Sequence, residues 1–148
     1  MLTAKDIMKK DVITFSLETD IVPAAKTLID NSINGAPVVD DKGVVAGILC
    51  QSDLITQQKN IKMPSIFTFL DGYIPLTSLK KFEKDIKKIA AIKVKDAMTK
   101  DPVTVDPDTD IGHIAMLMVD KHFHTLPVID NGKLVGIVGK EDVLKTFL

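Results

Sequence analysis

The segment GILCQSDL at Gly47–Leu54 decides the fold, because it returns 89 residues later as GIVGKEDV at Gly136–Val143. Each copy reads glycine, two aliphatic residues, three variable residues and an aspartate, which is Asp53 in the first copy and Asp142 in the second. An aliphatic run that gives way to polar and acidic residues is typical of a buried strand leading into a helix. The repeated carboxylate therefore serves either the start of a helix or the binding of a ligand.

The rest of the chain repeats around these segments. KDIM at 5–8 corresponds to KDAM at 95–98, and PVVD at 37–40 corresponds to PVID at 127–130, both at an offset of 90 residues. Matches in the same order at nearly one offset indicate an internal duplication. A single repeat of this size would be marginal as an independent domain, so we expect the two copies to pack against each other.

The same elements are predicted in each repeat, in the order β-α-β-β-α, which gives an α+β (mixed α/β) fold. Thr19–Asp20 and Thr109–Asp110 supply N-cap candidates for the first helix of each repeat. Asn131–Gly132 predicts a tight hairpin, because both residues tolerate positive φ. The residues expected on the buried helix faces are Ile21, Ala25, Leu28 and Ile29 in the first copy, and Ile111, Ala115, Met118 and Val119 in the second.

We place the first repeat at residues 1–58, an apolar and helical insert at 59–92 and the second repeat at 93–148. The insert combines aromatic residues such as Phe67 and Tyr73 with a lysine-rich helical pattern, and it is too apolar for a solvated linker. Two interpretations stay open. The insert either covers the core of its own module or contributes to a subunit interface.

Composition limits the partners that we expect. The 148 residues are 45% hydrophobic and 26% charged with a formal net charge of -1, which gives no electrostatic basis for binding nucleic acid or a membrane. All 19 basic residues are lysine, so a phosphate would be met by lysine side chains or backbone N–H groups. A single cysteine, no apolar leader and no long apolar run lead us to expect a cytoplasmic protein.

The duplicated unit resembles a tandem pair of CBS (cystathionine-β-synthase-type) domains, also called a Bateman module. KDIM and KDAM, PVVD and PVID, and the shared ending described above carry the resemblance, which leaves only the central insert outside. It implies two repeats related by a pseudo-two-fold axis, a homodimer, and clefts that bind an adenosyl ligand such as AMP, ADP, ATP or S-adenosylmethionine. Such modules usually regulate another protein, so an unidentified regulated protein is an expected partner.

By this resemblance, Asp53 and Asp142 are ribose ligands. An ionised carboxylate offers only acceptors, and the two ribose hydroxyls are adjacent donors. The structural alternative, in which each aspartate only complements the dipole of its helix, stays open. The family usually carries serine or threonine three residues earlier, where this chain has Cys50 and Gly139. Ligands with a neutral or cationic tail therefore stay open, although Lys140 favours the second cleft for a phosphate.

Further cleft residues follow from the same resemblance. Thr14 and Thr104 would lie near the adenosyl group, with a plain strand role as the alternative. The backbone at 35–37 and 125–127 would read the base. His124 is added as a residue that could line the cleft. The whole predicted set is Thr14, Gly35, Ala36, Pro37, Cys50, Asp53, Thr104, His124, Thr125, Leu126, Pro127, Gly139, Lys140 and Asp142.

We predict neither a catalytic nor a metal-binding set. The three histidines lack further ligands at suitable spacing, and no nucleophile–base pair is visible. Cys50 ends an apolar strand and is expected to be a buried thiol. We therefore expect a regulatory module, not an enzyme. The alternative from another class is a dimerisation or protein-interaction module without a ligand, which the absence of hydroxyls at Cys50 and Gly139 favours.

Overall fold

Each repeat contains the predicted helix, β-hairpin and closing helix, and a short additional helix comes before them. The computed structural model describes residues 1–60 and 92–148, together with Glu83. The expectations for the insert beyond residue 60 lie outside the described residues. The elements are α1 Ala4–Ile7, β1 Phe15–Ser16, α2 Ile21–Asp30, β2 Gly35–Val39, β3 Val45–Cys50, α3 Gln51–Asn60, α4 Val94–Ala97, β4 Thr99–Lys100, α5 Ile111–Asp120, β5 Thr125–Asp130, β6 Lys133–Gly139, α6 Lys140–Leu144 and a final 3-10 helix, Lys145–Phe147.

Each repeat builds its own sheet around a β-hairpin. In the first repeat, β2 and β3 are antiparallel, β1 runs parallel to β2, and β4 runs antiparallel to β3. In the second repeat, β5 and β6 form an antiparallel pair. Asn131 and Gly132 make the turn of this second hairpin with φ angles of 51° and 79°. The tight turn predicted from these two residues is therefore present.

The two repeats exchange their first segments. Ala4, on α1, is fully buried in the core of the second repeat, whereas Val94, on α4, is fully buried in the core of the first. Just after α1, Lys9 pairs with Ile137 of β6, while Thr99 and its neighbour form β4 on the edge of β3. The KDIM and KDAM segments therefore complete the opposite repeat, so the unit repeated in sequence is not the unit that packs in space.

This exchange shortens the first predicted strand of each repeat. In place of extended runs at 11–15 and 102–105, only Phe15–Ser16 pairs along β2, and only Val105 bridges to Val128 of β5. The intervening residues carry the chain from one sheet to the other. These residues lie between two sheets that belong to different repeats, so they do not pair along either sheet.

The buried helix faces differ from the predicted stripes. Ala24 and Leu28 are buried on α2, whereas Ile29 is 69% exposed. On α5, Ile114 is buried and Val119 is 71% exposed. The placement of Ile29 and Val119 in the core was therefore wrong. Each residue of a helix is turned by about 100° from the one before, so a residue next to a buried position leaves the face. The other predicted positions that are only half-buried are Ala25, Ile111, Ala115 and Met118.

The two hydrophobic cores meet where β2 lies next to β5. Burial of each leucine or valine in these cores contributes about 1.5–3 kcal/mol. Among the described residues, no helix is long and apolar enough to span a membrane. The buried members of the first core are Phe15, Ile21, Ala24, Leu28, Ala36, Val38, Leu49 and Val94, and those of the second are Ala4, Val105, Ile114, Leu126, Val128 and Val138.

Candidate functional site

A cleft opens between the two repeats, beside the approach of β2 to β5. It contains about 600 Å³ of space, part of it open to solvent. Its walls come from the segment after α1, the α2–β2 loop, the start of β5 and the β6–α6 junction, so both repeats and the exchanged N-terminal segment contribute. The lining residues are Lys9, Asp11, Ile13, Ser32, Ile33, Asn34, Gly35, His124, Thr125, Ile137, Gly139, Lys140, Glu141 and Asp142.

Asp142 is the buried acid of this cleft, with 8% of its surface exposed. Its Oδ2 accepts the backbone N–H of Gly139 at 2.8 Å and so caps the start of α6. No described residue donates to its Oδ1. Asp142 lines the cleft, so its second oxygen has no bond from the described residues that a ligand in the cleft would have to break. One oxygen starts the helix and the other has no donor within residues 1–60 and 92–148.

Asp53, the corresponding acid of the first repeat, repeats only the first of these contacts. Its Oδ2 accepts the backbone N–H of Cys50 at 2.8 Å. Its Oδ1 accepts the hydroxyl of Thr99, on β4, at 3.1 Å. Both oxygens of Asp53 are therefore bound within the protein. The structural alternative, a role at the start of the helix, thus accounts for one oxygen of each aspartate. The two aspartates differ in what the other oxygen contacts.

Thr125 brings a hydroxyl to the same cleft. It is 7% exposed and lies opposite Gly139 in the ladder between β5 and β6. No described residue hydrogen-bonds its hydroxyl, and Thr125 is one of the residues that line the cleft. The corresponding residue of the first repeat is Gly35, where an added Cβ would lie 2.9 Å from the Sγ of Cys50. The thiol of Cys50 fills space in the first repeat, whereas Gly139 leaves the equivalent space open in the second.

The comparison with known proteins agrees with this architecture. A family model for the CBS domain matches residues 4–60 and 94–148, which include both exchanged helices and both strand-to-helix junctions. The chain belongs to the CBS domain family. The predicted resemblance and the predicted α+β fold of two CBS repeats are both confirmed.

Three relatives of this CBS pair are informative. An uncharacterized protein of Methanocaldococcus jannaschii is 32% identical over 158 residues, covering 100% of this chain and 92% of the relative. The structure of CBSX2 in complex with AMP is 25% identical with a TM-score of 0.74, covering 99% of this chain and 96% of that one. The CBS domain pair of protein MJ0100, in complex with 5′-methylthioadenosine and S-adenosyl-L-methionine, is 26% identical with a TM-score of 0.75, covering 99% and 100%.

The CBS pair brings part of the predicted ligand-binding set together. Gly35, His124, Thr125, Gly139, Lys140 and Asp142 line the cleft. Ala36, Pro37, Leu126 and Pro127 are buried in β2 and β5 and do not line it. Thr14 and Thr104 are exposed outside it, and Cys50 and Asp53 lie at the junction of the first repeat.

Sequence reasoning missed the wall that the N-terminal segment supplies. Lys9, Asp11 and Ile13 line the cleft. At the offset of 90 residues, Asp11 corresponds to Asp101. Such a match does not reveal which sheet a segment joins. The exchange of first segments is what brings Lys9 beside the second repeat.

Electrostatics leave the single cysteine inert. Burial, and secondarily the Asp53 carboxylate, raise the pKa of the Cys50 thiol to about 11. The thiol is therefore protonated near neutral pH and is a poor nucleophile. Among the residues that the structure describes, no three histidine, cysteine, aspartate or glutamate side chains gather closely enough to hold a metal ion.

Proposed function

We propose that this CBS pair is a regulatory module that binds an adenosyl ligand between its repeats and signals its occupancy to a partner protein. One observation carries the proposal: the Oδ1 of Asp142 has no donor among the described residues and belongs to a cleft that both repeats line. A carboxylate oxygen in that position can accept hydrogen bonds from the adjacent hydroxyls of a ribose. The complexes of CBSX2 with AMP and of the MJ0100 pair with S-adenosyl-L-methionine support the adenosyl class.

The ligand would act by linking three parts of the chain. The cleft walls include Lys9 of the exchanged segment, Asn34 of the first repeat and Thr125 of the second. A ligand that touches all three stabilises the arrangement in which they lie together, and it shifts the population of that arrangement only by its differential affinity. Regulation, not catalysis, is the role that this geometry supports.

We also propose that the chain forms a homodimer. Ile29 and Val119 occupy corresponding positions on α2 and α5, and they are 69% and 71% exposed in the single chain. Val22, on α2, is 55% exposed as well. Covering apolar surface contributes about 25 cal/mol per Å², and a second copy would present the same helices in return.

A ligand screen with one variant and one matched control tests the binding function. We expect AMP, ADP, ATP or S-adenosylmethionine at 100 times its Kd to add about 2.7 kcal/mol of stability in a thermal-shift assay. In Asp142→Asn, the amide oxygen still accepts the N–H of Gly139, but the second acceptor becomes a donor. Loss of a charge-assisted hydrogen bond should weaken binding by about 2–3 kcal/mol in calorimetry.

The control is Asp41→Asn, which makes the same chemical change at an exposed position in the turn between β2 and β3. Its affinity should equal that of the wild type. If none of the four ligands raises the melting temperature of the wild type, the ribose role of Asp142 is lost. The chain is then better described as a dimerisation or protein-interaction module without a ligand.

A further inference from the structure

The duplication places two different side chains beside its two junction carboxylates. Thr99, on β4, pairs antiparallel with Ile48 of β3 and donates its hydroxyl to Asp53 at 3.1 Å. The corresponding residue of the other repeat is Lys9, which pairs antiparallel with Ile137 of β6. Two backbone hydrogen bonds, of 2.9 and 3.0 Å, hold Lys9 to Ile137. The side chain at this position is therefore set at the edge of each sheet.

Thr99 forms a hydrogen bond to the adjacent aspartate, whereas Lys9 forms none. The Thr99 hydroxyl occupies the one oxygen of Asp53 that the helix start does not use. A ribose at Asp53 would share this oxygen with Thr99 or displace it, because a carboxylate oxygen can accept two hydrogen bonds. Lys9 makes no such bond to Asp142, whose Oδ1 receives no hydrogen bond from any residue within the described ranges. The Oδ1 of Asp142 thus has no donor among the described residues, whereas the Oδ1 of Asp53 already has one.

The residues around the two aspartates also differ in charge. Lys9 and Lys140 both line the cleft of Asp142, together with the carboxylates of Asp11 and Glu141. The residues that correspond to the two lysines beside Asp53 are Thr99 and Gln51, which are neutral. Besides Asp142, the charged lining residues of this cleft are two lysines and two carboxylates with a formal sum of zero, whereas the four corresponding residues of the first repeat include one charge, that of Asp101. The Asp142 cleft is therefore the less acidic of the two, and its lysines can meet an anionic substituent on the ligand.

We propose that the chain binds one phosphorylated adenosyl ligand, in the Asp142 cleft alone. The first repeat has Thr99 where the second has Lys9, and this difference decides both the number of sites and the preference for a phosphate. This inference rests on the proposed function. It adds the number of sites and the class of ligand: an adenosine that carries phosphate is preferred over one that carries a neutral or cationic group.

Calorimetry with AMP and adenosine tests the two properties together. The wild type should bind one AMP per chain and should bind adenosine more weakly. Lys9→Thr copies the other repeat, and loss of a charge-assisted contact should weaken AMP binding about 10- to 100-fold with little effect on adenosine. Lys10→Thr is the matched control, since Lys10 is also exposed but does not line the cleft, and it should bind AMP like the wild type.

The site is assigned by a second matched pair. Asp142→Asn should weaken AMP binding about 30- to 160-fold, whereas Asp53→Asn should retain it with an unchanged stoichiometry of one. Circular dichroism melting of each variant shows that the compared chains are folded. Two AMP per chain, loss of binding in Asp53→Asn, or equal affinity for AMP and adenosine would overturn the inference while leaving the adenosyl function in place. Absence of binding by AMP, adenosine and S-adenosylmethionine would overturn both.

Discussion

Gly47→Ala should destabilise the protein, because β4 lies directly against this residue. An added Cβ would lie 2.7 Å from the backbone oxygen of Thr99 and 2.6 Å from the Sδ of Met98. The methionine can change rotamer, but the backbone oxygen moves only if β4 shifts outward. Overpacking of this kind costs about 1–3 kcal/mol, and replacing glycine in the unfolded chain returns about 0.4–1 kcal/mol. We expect a net loss of roughly 1.3 kcal/mol.

Gly136→Ala is the matched comparison in the other repeat. There the nearest backbone atom, the oxygen of Lys9, would lie 3.1 Å from the added Cβ, and the closer atoms belong to the flexible side chain of Met8. A rotamer change of about 0.5–1.5 kcal/mol then nearly cancels the gain in the unfolded state.

Thermal unfolding followed by circular dichroism separates the two variants. At roughly 2–4 °C per kcal/mol for a chain of this size, Gly47→Ala should lower Tm by about 3–5 °C and Gly136→Ala by about 1 °C. Equal shifts, or a larger shift for Gly136→Ala, would refute the argument that the backbone of the exchanged segment makes the difference.

Two further predictions concern the thiol and the exposed helices. The raised pKa of Cys50, about 11 against an ordinary 9.0, should make its reaction with Ellman's reagent at pH 8 about 100-fold slower than in the unfolded chain. If Cys50 in the folded protein reacts at the rate of the unfolded chain, the thiol is not buried. Because the pKa of Cys50 is higher in the folded than in the unfolded chain, its contribution to stability is present below pH 9 and is lost as the pH rises toward 11. Ile29→Lys should reduce the molar mass measured by light scattering from two chains to one, whereas Asp41→Lys, in the exposed turn between β2 and β3, should leave it at two.

The repeated elements were predictable because they depend on local patterns. The hairpin at Asn131–Gly132 follows from the φ preferences of two residues, and the duplication predicted both strand-to-helix junctions, including Asp53 and Asp142. The helix faces were harder. A short helix with apolar residues on several sides offers more than one stripe, and only the packing selects Ala24 over Ile29.

The long-range arrangement was not predictable from the same patterns. The KDIM and KDAM segments are similar, so either repeat could have used either one. The structure pairs each with the opposite repeat, and this choice places Lys9 in the cleft. The different bonding of Asp53 and Asp142 depends on that choice as well, since Thr99 reaches Asp53 only from β4.

The exchange also gives a physical route from ligand binding to the rest of the chain. Ala4, on α1, is fully buried in the second core, and Lys9, five residues further on, lines the cleft. A ligand held by Lys9 and Asp142, as proposed above, would strengthen the attachment of α1 to the second repeat, because α1 and Lys9 belong to one segment. Occupancy would then stabilise the folded chain by RT ln(1 + [L]/Kd). Under this proposal the junction acid has two tasks in one side chain: one oxygen accepts the N–H at the start of α6, and the other would connect the ligand to the segment that completes the core.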